Sequence, residues 1–193
     1  MIKKFLFFYF IINLFNYVHA NQYKILVTIN NDPITQMDLN YEIKILSILN
    51  KREISKQQLN IALKNLIEQR IKNREITKNE IKIENILINN QLLKLSKNLN
   101  LELNHIDKNL IFLIKEKIKI DYQWNKLIIQ KYGWKINVNM KEIDQKLEEK
   151  YKGNYSNEIK DDFILQEKNK KVAVFARYHL NKLKEQSLIK FYK

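Results

Sequence analysis

From Tyr23 the chain opens on a run of β-branched and apolar residues, Ile25-Leu26-Val27-Thr28-Ile29, then a polar cluster, Asn30-Asn31-Asp32, then Pro33-Ile34-Thr35. The pattern predicts a strand over residues 25–29, a turn over 30–32 and a short return strand over 33–35, on a sheet edge where proline is tolerated. A hairpin this small is not stable alone and needs a further strand or a helix to pack on.

Helical spacing then takes over, and the helix starts carry their own chemical marks. Thr35–Asp38, Ser55–Gln58, Thr77–Glu80 and Asn139–Glu142 each place a capping side chain three residues ahead of an acid or amide able to reach back. They predict helices over residues 36–50, 56–75, 78–98 and 140–150, with a further start in 104–107 opening a helix that runs to Tyr132. Gly133 stands where a C-cap glycine belongs, with Trp134 opening a link. Leu59, Leu63, Leu66, Ile67 and Ile71, and then Ile106, Leu110, Leu113, Ile114, Ile118 and Tyr122, are apolar stripes of core-facing helices.

Gly153 to Asn157 is the one loop-like stretch late in the chain and divides it into residues 21–152 and a completing part, 158–193. A last long helix is predicted over residues 157–186, with Ile164, Leu165, Val172, Phe175, Ala176, Leu180 and Leu183 as its apolar positions. The alternation in Ser187-Leu188-Ile189-Lys190-Phe191-Tyr192 predicts a closing strand. Its only available partner is the opening hairpin. The expected fold is therefore mainly α, a helical bundle with a small β-sheet formed by an N-terminal hairpin and a C-terminal strand.

The first twenty residues have a different character. Lys3 and Lys4 precede an apolar stretch from Phe5 to Phe15, and Val18-His19-Ala20 sets small residues where a signal peptidase reads. This is the form of a secretory signal peptide over residues 1–20, with cleavage expected between Ala20 and Asn21, and it implies a periplasmic location. The apolar run is shorter than the roughly 20 residues that span a bilayer, so no stable membrane span is expected after cleavage.

Composition narrows the chemistry. Of 193 residues only two are glycine and one is proline, where average usage gives roughly 13 and 10. Phosphate-binding loops, dinucleotide fingerprints and nucleophile elbows all need glycine and have no place here. With no cysteine, disulfides, thiol nucleophiles and thiolate metal sites are excluded. The net charge of +14 comes almost wholly from lysines spread among Asn and Ile, with only Arg52, Arg70, Arg74 and Arg177 as arginines. That distribution reads as a solvated surface and not as a nucleic-acid site.

His105 and His179 lie far apart in sequence with no acid at ligand spacing, so no metal site is expected, and both are read as surface or rim residues. Glu148-Glu149 and Asp161-Asp162 are neighbours that diverge on a helix, which makes them solvated faces, not a catalytic pair. No cofactor is implied. Binding is what remains: Tyr122, Trp124, Tyr132 and Trp134, with Tyr151 and Tyr155 beyond, supply the rigid amphipathic rings that grip varied partners, while core filling is the plainer role for each ring taken singly.

The order of parts, with Ile25-Leu-Val-Thr-Ile-Asn-Asn-Asp32 leading through Pro33-Ile-Thr-Gln-Met-Asp-Leu39 into the first helix, resembles the N-terminal domain of SurA-like periplasmic chaperones, relatives of the parvulin-type peptidyl-prolyl isomerases. The segment from Phe163 to Phe191 is similar to the C-terminal helix and strand that complete the core of that family. The resemblance implies an ATP-independent chaperone whose apolar groove binds unfolded or nascent outer-membrane proteins. In the family, parvulin domains sit before the C-terminal helix; here residues 153–157 occupy that place, so no isomerase site is carried over and the chain is read as a non-enzyme. Two other readings stand beside it: a structural or assembly partner of one dedicated envelope protein, and, less well supported, a peptidyl-prolyl isomerase.

Overall fold

The computed structural model describes residues 23–52 and 55–192. The expected signal peptide and its cleavage point between Ala20 and Asn21 lie outside the described residues.

The chain opens as the pattern predicts. Strand β1 (Ile25–Ile29) turns back into β2 (Asp32–Thr35) through Asn30 and Asn31, at φ 49° and 73°. Two consecutive left-handed residues make the tight turn whose twist matches a hairpin, and asparagine tolerates that conformation well. Strand β3 (Ile189–Phe191) pairs antiparallel with the other side of β1, giving the order β2-β1-β3. The two ends of the described chain thus meet in one sheet, with all the helices strung between them.

Helix α1 (Gln36–Asn50) begins in a complete capping box: Thr35 Oγ1 accepts from the Asp38 N–H at 3.2 Å, and the Asp38 carboxylate accepts from the Thr35 N–H at 2.8 Å. At the start of α2 (Lys56–Lys78), Gln58 Oε1 accepts from the Ser55 N–H at 2.9 Å. α3 (Asn85–Leu99) leads through a short 3-10 turn to α4 (Lys108–Ile136), which Asp107 caps by accepting from the Asn109 and Leu110 N–H groups. Asn139 caps α5 (Met140–Tyr151) and Ser156 caps α6 (Asn157–Glu185).

Two boundaries differ from the sequence reading. The Thr77–Glu80 pattern does not start a helix; it lies where α2 ends. Glu80 takes φ 50°, its N–H donates to the Thr77 carbonyl, and the Ile81 N–H reaches back to the Ile76 carbonyl. This is a left-handed C-terminal cap whose apolar contact is Ile76 against Ile81, and both side chains are buried in the main core. Burying Ile81 outweighs the capping signal, and α3 starts only at Asn85. Gly133, in turn, is not a C-cap. It lies inside α4, which continues to Ile136 because that side chain is buried in the same core.

The main core packs Val27, Ile29 and Ile34 from the inner face of the sheet against α2, α4 and α6 through Ile71, Leu127, Ile128 and Leu180. Each fully buried side chain of this size is worth about 1.5–3 kcal/mol. A second, smaller core joins Ile45 of α1, Leu92 of α3 and Ile114 of α4. α4 is therefore the axis of the molecule: its N-terminal half serves one core and its C-terminal half the other. Ile143 and Leu147 of α5 are also buried, with α5 packed on α6. Among the described residues no helix is long and apolar enough to cross a membrane.

Candidate functional site

A cavity of about 190 Å³ opens between α1, α2 and α4, at the seam between the two cores. Tyr41, Ile45, Leu66, Leu113 and Ile120 give it apolar walls, while Asp38, Arg70, Glu116 and Lys117 stand around it. Small-molecule and cofactor clefts run to about 300–1,000 Å³. This cavity is smaller and suits one large apolar side chain.

Its polar wall is built with care. Glu42 comes from the inner face of α1 and is only 2% exposed, a position from which an isolated carboxylate would be expelled. Lys117 of α4 meets it at 2.7 and 2.8 Å, and Asn65 of α2 donates to it at 3.4 Å. The charge is thereby matched, and three helices are tied at one point. Nearby, the Arg70 guanidinium lies 3.6 Å from Asp38 and 3.9 Å from Asp32, linking α2 to the capping box and the hairpin. The sequence reading passed over Glu42. The signal was there: the helical spacing from Met37 through Tyr41 to Ile45 puts residue 42 on the same inward side, where an acid is out of place.

A second polar cluster lies in the main core. Contrary to the surface or rim position expected from sequence, His179 is buried; α6 turns it toward α4. Its Nδ1 is 2.9 Å from the Tyr132 hydroxyl, and its Nε2 is 3.4 Å from Glu75 Oε1 without hydrogen-bond geometry. Burial pushes the imidazole below its ordinary value, the Glu75 carboxylate opposes that shift, and the charges of Lys131 and Lys182 add to it. Burial also pushes the Tyr132 phenol up, so it keeps its proton, and the Glu75 carboxylate on the Nε2 side favours the tautomer in which Nδ1 accepts from that phenol. The neutral ring then carries its own proton on Nε2, toward Glu75. Burial raises the Glu75 carboxyl, but Lys131 at 3.0 Å, with Asn79 and His179, holds it below the usual carboxylate value. His105, by contrast, is exposed and faces Glu102 at 3.0 Å.

The four rings singled out from sequence do not form one surface. Trp124 is buried, its ring centroid 5.5 Å from that of His179. Tyr132 is half-buried and stacks on Phe175 at 5.1 Å, with Tyr178 edge-on at 6.3 Å. Tyr122 points elsewhere, its hydroxyl 3.5 Å from Gln91 of α3. Trp134 is 74% exposed, with the Lys135 ammonium 4.6 Å from its ring centroid. Tyr151 and Tyr155 do come together, at 6.3 Å, across the loop after α5. Spacing explains the scatter, since residues 122, 124, 132 and 134 of one helix point in four directions at about 100° per residue.

Comparison with protein-family models and with curated proteins finds no match to this chain.

Proposed function

We propose that the chain is an exported, ATP-independent holdase that binds unfolded outer-membrane proteins, and that it carries no isomerase activity. The observation that supports this reading best is the cavity between α1, α2 and α4, whose apolar walls and charged rim suit an apolar side chain presented by a polypeptide whose backbone stays in the polar rim. The resemblance to the SurA core supports it as well, since that family implies a helical body closed by a sheet of the two chain ends.

The test mixes the purified chain with a denatured outer-membrane protein and follows light scattering at rising chain concentration. Suppression near equimolar amounts is expected, and Tyr41→Ala, which removes a cavity wall, weakens it. A folded, helical chain without effect in molar excess sinks the holdase reading. A single stoichiometric partner pulled from a periplasmic extract would then favour the dedicated assembly partner.

A further inference from the structure

The sheet has two outer edges, and they differ chemically. In an antiparallel ladder, alternate residues turn their backbone groups to opposite neighbours. On β3, the Leu188 carbonyl accepts from the Asn30 N–H and the Tyr192 N–H donates to the Leu26 carbonyl, both at 2.9 Å, so these residues face β1. The N–H and C=O groups of Ile189 and Phe191 consequently point out of the sheet. On β2 the outward positions are Pro33 and Thr35, because Ile34 pairs with Val27 and Asp32 with Ile29 beside the tight turn. Pro33 has no N–H, and the Thr35 N–H is held by Asp38 at 2.8 Å. Among the described residues the β2 edge has no donor to offer and the β3 edge has two.

Sheet edges are usually guarded against pairing, as β2 is. The β3 edge is guarded only by its shortness and by Lys190, and it carries exposed Leu188, Phe191 and Tyr192, at 56%, 67% and 49% exposure. We propose that this edge receives an extended segment of a client polypeptide in which apolar residues alternate with acidic ones, added as a fourth strand. This rests on the polypeptide-binding reading above and adds to the cavity a second contact, one that takes the extended backbone of the same client. Ile189 and Phe191 lie on the same face as Ile29 and Val27, their partners in register, so an added strand meets apolar neighbours there. Lys190, on the other face, stands at the centre of β3. Acidic side chains complement this edge. A second copy of the chain fits less well: symmetric pairing centred on β3 would set Lys190 against itself, between two bodies that both carry a strong net positive charge.

The test titrates the full chain into a labelled short peptide that alternates phenylalanine and valine with glutamate, read by fluorescence anisotropy. Saturable binding is expected, weakened about tenfold or more when the peptide's alternate amides are N-methylated, the scale of a lost pair of backbone hydrogen bonds. The same loss is expected from Ile189→Pro, which deletes an outward donor and leaves the bonds to β1 intact. Lys190→Glu should transfer preference to the lysine counterpart of the peptide. Equal binding of the N-methylated peptide, no binding at all, or self-association through β3 overturns the proposal. Aggregation of a denatured outer-membrane protein is read in parallel. Suppression that survives Ile189→Pro, with no peptide binding, removes the edge and keeps the holdase; edge-dependent peptide binding without suppression does the reverse.

Discussion

Two polar clusters are buried along α4, and they solve the same problem in opposite ways. Near its N-terminal half, Glu42 and Lys117 form a charged pair at 2.7 Å, with Asn65 completing it. Near its C-terminal half, His179 is kept neutral between a protonated Tyr132 and a charged Glu75 whose partner is Lys131. The first cluster commits to full charges and must keep both of them. The second holds an imidazole that burial pushes below its ordinary value. Burial is common to the two; what differs is which protonation state the neighbours stabilise.

The sharpest way to break the comparison is to take one charge from the first cluster. Lys117→Met leaves Glu42 buried without its counter-ion and should cost about 3 kcal/mol in urea unfolding, while the double variant with Glu42→Leu should recover most of that loss. In the second cluster, Tyr132→Phe removes a neutral donor and leaves Nδ1 unmet, so about 1–2 kcal/mol is expected from the same measurement. A gentler effect follows from acid. The folded-state pKa of His179 is below its ordinary 6.5, so its contribution is complete above that value and is lost as pH falls through it. Glu75 is also depressed, but from 4.5, so its contribution fades only at lower pH. Stability should therefore decline as pH falls below about 6.5 in the native chain, and His179→Gln should flatten the upper part of that decline while leaving the part that Glu75 sets at lower pH. A flat native profile would show that the burial of His179 does not set the response of this fold to acid.

The asymmetry was only partly visible beforehand. Glu42 could be found on the inward face of α1, yet its partner lies 75 positions away on α4, and no local pattern joins them. His179 followed an apolar register on α6 but was read as a rim residue, because the depth of its burial depends on how closely α6 meets α4. Leu165 shows the converse: its spacing suited a core stripe, and it is 56% exposed because the neighbouring elements do not reach it. The aromatic set is spread over several surfaces for a different reason, since composition counts rings but a helix distributes them by angle.

What the amino-acid order determined by itself was local and periodic. The β-branched run and the Asn30-Asn31 turn specified a hairpin, the capping residues at Thr35, Ser55 and Asn139 specified helix starts, and the closing alternation specified a strand whose only partner was β1. These are decided within a few residues by backbone sterics and by hydrogen bonds to neighbouring amides. Tertiary structure decided everything that needed a distant partner: that α2 ends in a cap where a start was written, because Ile81 is buried; that α4 runs past Gly133 to bury Ile136; and that Glu42 and His179 are tolerated in the interior. Among the described residues it also left one sheet edge closed by Pro33 and Asp38 and the other without a neighbouring strand, since hydrogen-bond direction depends on which strand lies alongside.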